Sequence, residues 1–350
     1  MNVPLDRVCI VMMSAVGDAV HVLPVINAIK RHSPGSRITW VVQPGPNSLV
    51  SGHRSVDETI VFDRSAGLRA FRDVRAALDA REFDVVLNLQ VYFKAGVVTA
   101  FTRAPVKLGF DKERARDLNT MFTTHTIQPH EPQHVQDQYF EFLTHLGVPH
   151  EPVEWDLGPW ESERDWQRSF AAQFDRPIAS VVVGTSKIVK DWAPERWAEV
   201  CDALYDDYGL QPVLVGGGSE RERRAERAIL AGSRNPHFSA LGSGLRNLVG
   251  ILDASALVLA PDTGPLHMAV ALDRPVISLM GYTNPKRSGP YRAFQDLIVD
   301  AFGDPGERYD ASATNRPGRM SRIQPRDVLV KVDLWRTRYS AAALSTLPKR

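Results

Sequence analysis

Short runs of β-branched and aliphatic residues recur along this chain, each followed by a turn and then by apolar residues at helical spacing. That alternation constrains the fold more than any other feature, because it is the mark of parallel strands joined by crossover helices. The first unit displays it fully. Val8 to Met13 reads as a buried strand, and Val22, Val25, Ile26 and Ile29 share one helical face. Pro34-Gly35 stops that helix before a second strand, Ile38 to Val42. Further strands are predicted at Thr59 to Phe62 and Val85 to Leu89, with helices near Leu68 to Ala80 and Tyr92 to Phe101. A more irregular stretch runs through Ile127, and a helix from His134 to Leu146 follows. After Asp175-Arg176-Pro177 the pattern restarts, with strands at Ile178 to Val183, Val213 to Val215, Leu257 to Ala260 and Val276 to Leu279.

Two such series in 350 residues fit two α/β domains, each able to bury its own core. The expected division is 1–165 and 166–322, with Gly158 to Pro177 as the linker. Residues 323–350 are expected as a C-terminal helix, Pro325 to Tyr339, packing back toward the first domain, with a disordered tail from Ser340. Open parallel sheets bind ligands beyond the C-terminal ends of their strands, so two doubly wound sheets in tandem predict a central cleft.

A net charge of +1, with 43% apolar and 24% charged residues, gives no electrostatic case for nucleic acid. The Val8 to Met13 run is too short to span a bilayer, and Gly17 and Asp18 interrupt it where a signal peptide would continue. Cys9 and Cys201 fall one in each series, inside apolar runs, and read as small core residues in a reducing compartment. A cytoplasmic protein is expected.

The residues that carry chemistry follow the predicted strands. After the first comes Ser14-Ala15-Val16-Gly17-Asp18, where Gly17 permits a sharp turn and Asp18 either caps the helix or serves as a base toward a hydroxyl. Ser14, Gly17 and His21, with Gln90 and Lys94 after Val85 to Leu89, are expected to line the cleft or bind an acceptor there, Lys94 suiting an anionic acceptor, a donor phosphate or simply a solvated surface. After Ile178 to Val183 come Gly184-Thr185-Ser186 and Lys190, hydroxyls and a cation suited to phosphate, whereas Trp192 and Trp197 suit core packing. After Val213 to Val215 comes Gly216-Gly217-Gly218-Ser219-Glu220-Arg221-Glu222, which lacks dinucleotide-fingerprint spacing. Glu220 or Glu222 there suits either ribose hydroxyls or a solvated first helical turn. After Leu257 to Ala260 comes Asp262-Thr263-Gly264-Pro265-Leu266-His267. Pro265 fits a first helical turn, and the amides of Thr263, Gly264 and Leu266 are expected to point outward as a seat for a diphosphate. No Cys/His cluster has zinc spacing and no Asp-x-Asp pair follows a strand, so neither a metal nor a cofactor is expected.

Taken together, these residues resemble the family 9 glycosyltransferases, the ADP-heptose:lipopolysaccharide heptosyltransferases, from Val8 to about Val332. The most specific part is Asp262-Thr263-Gly264-x-x-His267-x-Ala269-x-Ala271-Leu272, continuing to Pro275, Gly281, Thr283, Pro285 and Gly289-Pro290-Tyr291. Ser14 to Asp18, Leu23-Pro24, Pro34-Gly35 and Lys190-x-Trp192 are also similar, whereas Met12, Val91, Tyr282 and Asn284 depart from the family pattern. The resemblance implies a GT-B fold of two Rossmann-like domains, with an ADP-sugar donor held mainly by the second. It implies metal-independent, inverting transfer in which Asp18 is the base and Lys190 contacts the donor phosphates. Asp262, Thr263 and Gly264 are placed beneath the diphosphate, and Glu220 or Glu222 facing the adenosine ribose. The implied acceptor is the lipid-linked inner core of lipopolysaccharide, with peripheral contact at the inner membrane through Arg103, Lys107, Lys112, Arg114 and Arg116. Two other functions use a similar plan: a nucleotide-sugar epimerase, which needs no acceptor, and a non-catalytic nucleotide-sugar-binding protein.

Overall fold

The apolar runs form two six-stranded sheets in which every pairing is parallel. The computed structural model describes residues 3–347. Its first unit ends at Asp156, except that Pro132–His134 groups with the second, which begins at Leu157. The sequence placed that boundary at 165/166, about nine residues later and inside a helix.

The first sheet contains β1 (Arg7–Val11), β2 (Arg37–Val42), β3 (Glu58–Val61), β4 (Val85–Asn88), β5 (Val106–Gly109) and β6 (His125–Thr126), in the order β3-β2-β1-β4-β5-β6. Its helices are α1 (Val16–His32), α2 (Pro44–Val50), α3 (Leu68–Asp79), α4 (Phe93–Ala100) and α5 (Val135–Leu146). Cys9, Val41, Phe62, Val74 and Val86 lie in its core. Strands β5 and β6 lie inside the stretch read as irregular. They are too short, and too polar at Lys107 and His125, to show a strand period.

The second sheet contains β7 (Ile178–Val182), β8 (Gln211–Val215), β9 (Phe238–Ser239), β10 (Ser255–Pro261), β11 (Val276–Met280) and β12 (Ile298–Asp300), in the order β12-β11-β10-β7-β8-β9. Numbered from β7, this is the first sheet's order read from the other edge. In both, strand direction of progression reverses between the first and fourth strands, β1/β4 and β7/β10, and the loops leaving those strands diverge to open a ligand crevice.

Helices α6 (Arg164–Ala171), α7 (Pro194–Asp206), α8 (Glu220–Gly232), α9 (Leu245–Asp253), α10 (Gly264–Ala271), α11 (Pro285–Ser288), α12 (Pro325–Arg338) and α13 (Ser340–Ser345) complete the second unit. Helix α6 occupies the expected linker. Its buried Gln167 donates to the Gly250 carbonyl at 3.1 Å and to Asp253 at 2.7 Å, which ties it to α9. Helix α12 is part of the second unit's core through Val328, Val332 and Trp335, whose indole N–H donates to the Ala256 carbonyl at 3.1 Å. The segment from Ser340, expected to be disordered, forms α13, with Ala343 buried and Thr346 accepting from Arg274 at 2.8 Å. The last three positions of that tail lie outside the described residues. Among the described residues, no helix is long and apolar enough to cross a membrane.

Candidate active site

In the first unit the loop leaving β1 is held by its neighbour across the β1/β4 crevice. The amide of Met13 donates to Gln90 Oε1 at 3.0 Å, and Gln90 Nε2 donates to the Ser14 carbonyl at 2.7 Å. Gln90 therefore acts as a brace between two loops. Asp18 sits in the first turn of α1, where Oδ2 accepts from the Ala15 amide at 2.8 Å and Oδ1 accepts from the Tyr139 hydroxyl at 3.1 Å. The cap reading of Asp18 is thus visible in the structure, and each oxygen keeps a lone pair for a further donor. Gly17 lies within α1 and is not among the residues with positive φ, so the turn does not use the conformational freedom expected of it. His21 is 3% exposed, and Nδ1 lies 2.9 Å from Gln136 Oε1, while Gln136 donates back to the His21 carbonyl at 2.9 Å. That exchange locks α1 against α5, a packing role where a ligand role was expected. Lys94 is exposed.

In the second unit the β7/β10 crevice brings together groups 72 residues apart in sequence. Lys190 donates to Asp262 Oδ2 at 2.5 Å, with 16% and 10% of the two side chains exposed. His267 Nε2 lies 3.7 Å from Asp262 Oδ1, an electrostatic contact longer than a good hydrogen bond. Burial alone would raise the Asp262 carboxyl, but the His267 ring and the Lys190 charge outweigh it and hold the group far below the ordinary carboxylate range. Asp262 is consequently an anion that fixes Lys190 at the crevice while leaving it a further N–H donor beyond those aimed at the Asp262 carboxylate and carbonyl.

Above this cluster, Thr263 is the N-cap of α10, with extended backbone and no cap bond from its hydroxyl. The amides of Thr263 and Gly264 have no acceptor among the described residues, whereas Leu266 N–H donates to the Thr263 carbonyl at 3.0 Å. The outward-facing anion seat therefore has two amides where three were expected.

The remaining donor-side residues divide. Thr185 organises its own loop: its amide donates to Asp191 Oδ1 at 2.9 Å, and its hydroxyl is shared between that oxygen at 2.8 Å and the Lys187 carbonyl at 2.7 Å. Ser186 is exposed. Glu220 is exposed and pairs with Arg227 at 3.0 Å. Glu222 closes the glycine turn, accepting from the Gly217 amide at 2.8 Å and from the Ser219 amide and hydroxyl at 2.8 and 2.6 Å. Burial pushes the Glu222 carboxyl up, and these donors bring it below its usual value. Gly218 adopts φ 79°, open to glycine, and a Cβ on Gly184 would fall 2.5 Å from Glu222 Cγ. Beside these loops is a cavity of about 500 Å³ lined by Gly184, Asp191, Trp192, Arg221, Glu222 and Met320, among others. Trp192 and Trp197 are buried and meet edge to face at 4.7 Å, as core residues.

The model of glycosyltransferase family 9 (heptosyltransferase) matches residues 71–308, more than half of the chain. This chain belongs to glycosyltransferase family 9. Among family 9 relatives, the lipopolysaccharide core heptosyltransferase OpsX of Haemophilus influenzae is 29% identical over 327 residues, covering 93% of each chain. Lipopolysaccharide heptosyltransferase 1 of Escherichia coli K12 is 28% identical over 81% of this chain and 91% of its own. The fold is shared with the family 9 glycosyltransferase of Veillonella parvula, at TM-score 0.81 and 21% identity over 95% and 98% of the two chains. It is shared also with E. coli heptosyltransferase WaaC solved with ADP, at TM-score 0.73 and 24% identity over 96% and 99%. Likeness to a UDP-N-acetylglucosamine 2-epimerase of Listeria monocytogenes is weaker, at TM-score 0.54 and 13% identity.

Three participants escaped the sequence reading. Tyr139 reaches Asp18 from a helix 121 residues away, so no local spacing announces it. Asp191 receives Arg221 at 3.1 Å, which also donates to the Thr185 carbonyl. Asp191 and Arg221 each read as an ordinary charge near a helix start, and only the adjacency of β7 and β8 joins them.

Proposed function

We propose that this glycosyltransferase moves a heptose from ADP-heptose to the lipid-linked inner core of lipopolysaccharide, inverting the anomeric carbon without a metal. The observation that carries the donor half is the half-buried Lys190–Asp262 pair beneath two uncommitted amides at the start of α10. A departing diphosphate gains negative charge, and preorganised donors at that place lower the barrier. Lys190 and the Thr263 and Gly264 amides hold the leaving group. Glu222, with one acceptor position left on Oε1, takes a ribose hydroxyl. Ser186 and Thr263 offer hydroxyls beside the phosphates.

Asp18 accepts the proton of the acceptor hydroxyl as that oxygen forms its bond to the anomeric carbon. The bond from that carbon to the diphosphate breaks in the same step, and ADP leaves with the electron pair. Tyr139 and the Ala15 amide hold the carboxylate in place. The first unit supplies the acceptor side, and the chain works in the cytoplasm, in peripheral contact with the inner membrane.

The test is to incubate the purified chain with ADP-heptose, with and without an inner-core acceptor. ADP release that requires the acceptor and persists in EDTA is expected. Conversion of ADP-heptose without acceptor would instead make it an isomerase, and loss of turnover in EDTA would end metal independence. Absence of both reactions despite tight ADP binding would leave a binding protein.

A further inference from the structure

The segment 116–122 of the first unit holds apolar side chains in water on a backbone that costs energy. Asp117 and Leu118 have φ of 51° and 62°, a region that side chains other than glycine enter when their surroundings impose it. Here they do. Arg116 N–H donates to the Val91 carbonyl at 2.8 Å, and the buried Asn119 amide donates to the Tyr92 carbonyl at 2.7 Å and accepts from Asn88 Nδ2 at 3.0 Å. Phe93 meets Phe122 edge-on at 5.5 Å. So fastened, Leu118 is 67% and Met121 72% exposed, beside Tyr92 at 52% and Phe93 at 47%.

The charges around it qualify the basic surface expected from sequence. Arg114 is withdrawn into ion pairs with Asp111 and Glu141, at 2.5 and 2.6 Å. Lys107 is partly buried, which lowers its ammonium below the usual range, and Arg103 lies 3.6 Å from Asp79. Lys112, Arg116 and Lys94 are exposed and form no ion pair among the described residues, against the exposed carboxylates Glu113 and Asp117.

Four apolar side chains with cations among them suit the boundary between headgroups and acyl chains, the depth that tyrosine favours. A stable protein interface engages about 20–30 residues a side, whereas the exposed apolar side chains here are four. We propose that Tyr92, Phe93, Leu118 and Met121 dock the chain onto an anionic lipid bilayer, with Lys94, Lys112 and Arg116 meeting the headgroup phosphates. The knoll borders the loop that Gln90 joins to Ser14, three hydrogen-bonded contacts from Asp18. A saccharide rooted in that bilayer would thus be presented to the β1/β4 crevice, a consequence that rests on the lipid-linked acceptor proposed above.

Sedimentation with vesicles of phosphatidylethanolamine and phosphatidylglycerol tests the docking. The parent chain is expected to bind, and less to phosphatidylcholine alone. Leu118→Ser with Met121→Ser should weaken partitioning about tenfold or more. Leu68→Ser, equally apolar and 87% exposed on α3, should bind as the parent does. Vesicles should also slow amide exchange at 91–94 and 116–122 in the parent chain, a readout independent of any variant's folding. A parent chain that fails to sediment, or a double variant that binds normally, overturns the proposal. The assay contains neither donor nor acceptor, so its failure leaves the transfer reading standing, and an inactive enzyme leaves the docking standing.

Discussion

Asp18 shows how one carboxylate answers two descriptions. From sequence it was a cap or a base; the structure displays the cap and leaves room for the base. The two roles separate in Asp18→Asn, because the amide oxygen can still accept from the Ala15 N–H. Initial rates should fall by about 10²- to 10⁴-fold while thermal unfolding barely moves, since a general base is lost and a neutral cap is kept. Near-normal turnover would remove Asp18 from the chemistry. Lys190 and Asp262 make the complementary case. Removing Lys190 strands the buried Asp262 carboxylate, and Lys190→Ala should cost about 3–5 kcal/mol in chemical denaturation. Adding Asp262→Asn should recover much of that loss, whereas additive losses would show that the pair is not coupled. Both residues were legible in sequence because each follows a strong strand; their ion pair was not, because only strand order brings β7 beside β10.

At the level of elements, legibility tracked length and burial. Strands β1, β2, β4, β7, β10 and β11 are buried along nearly their whole length and read as continuous apolar runs. Edge strands β6 and β9 contain two residues each, too few for any period to register. The linker reading failed for a different reason. Helix α6 has the composition of a solvated segment, and only Gln167 and Phe170 are buried in it. Gly281, noticed as part of a motif, has a physical explanation at the end of β11. A Cβ there would lie 2.7–2.9 Å from the backbone of Arg319 and Met320, atoms that cannot rotate away. Gly281→Ala should therefore destabilise by about 1–3 kcal/mol, measured by urea unfolding, through displacement of the turn that follows. An unchanged midpoint would mean that this turn is free to move.

The whole molecule repeats one doubly wound order, and in each copy the loops proposed to hold the base and the leaving group follow the pair of strands where that order reverses. Charge pairing surrounds both copies, and it gives the fold a predictable response to acid. Arg81 holds Glu58 below its usual value, and Arg246 does so for Glu163 against the opposing effect of burial. Arg319 and Arg322 bring Asp304 to about 2, and Arg316 brings Glu307 to about 2. A carboxyl depressed in the folded chain stabilises it above the unfolded value, about 4, and that contribution disappears as pH falls toward the folded value. His145 and His237 are lowered by burial, so the unfolded chain takes up their protons first, below about pH 6.5. Asp191, raised by burial, works in the opposite sense, but it is one group against many. The melting temperature should accordingly decline gently from about pH 6.5 and steeply between about pH 4 and 2. His237→Gln should flatten the gentle limb and leave the steep one. A melting temperature that rose on acidification from neutrality to pH 5 would mean that these groups are not held in the folded chain as described.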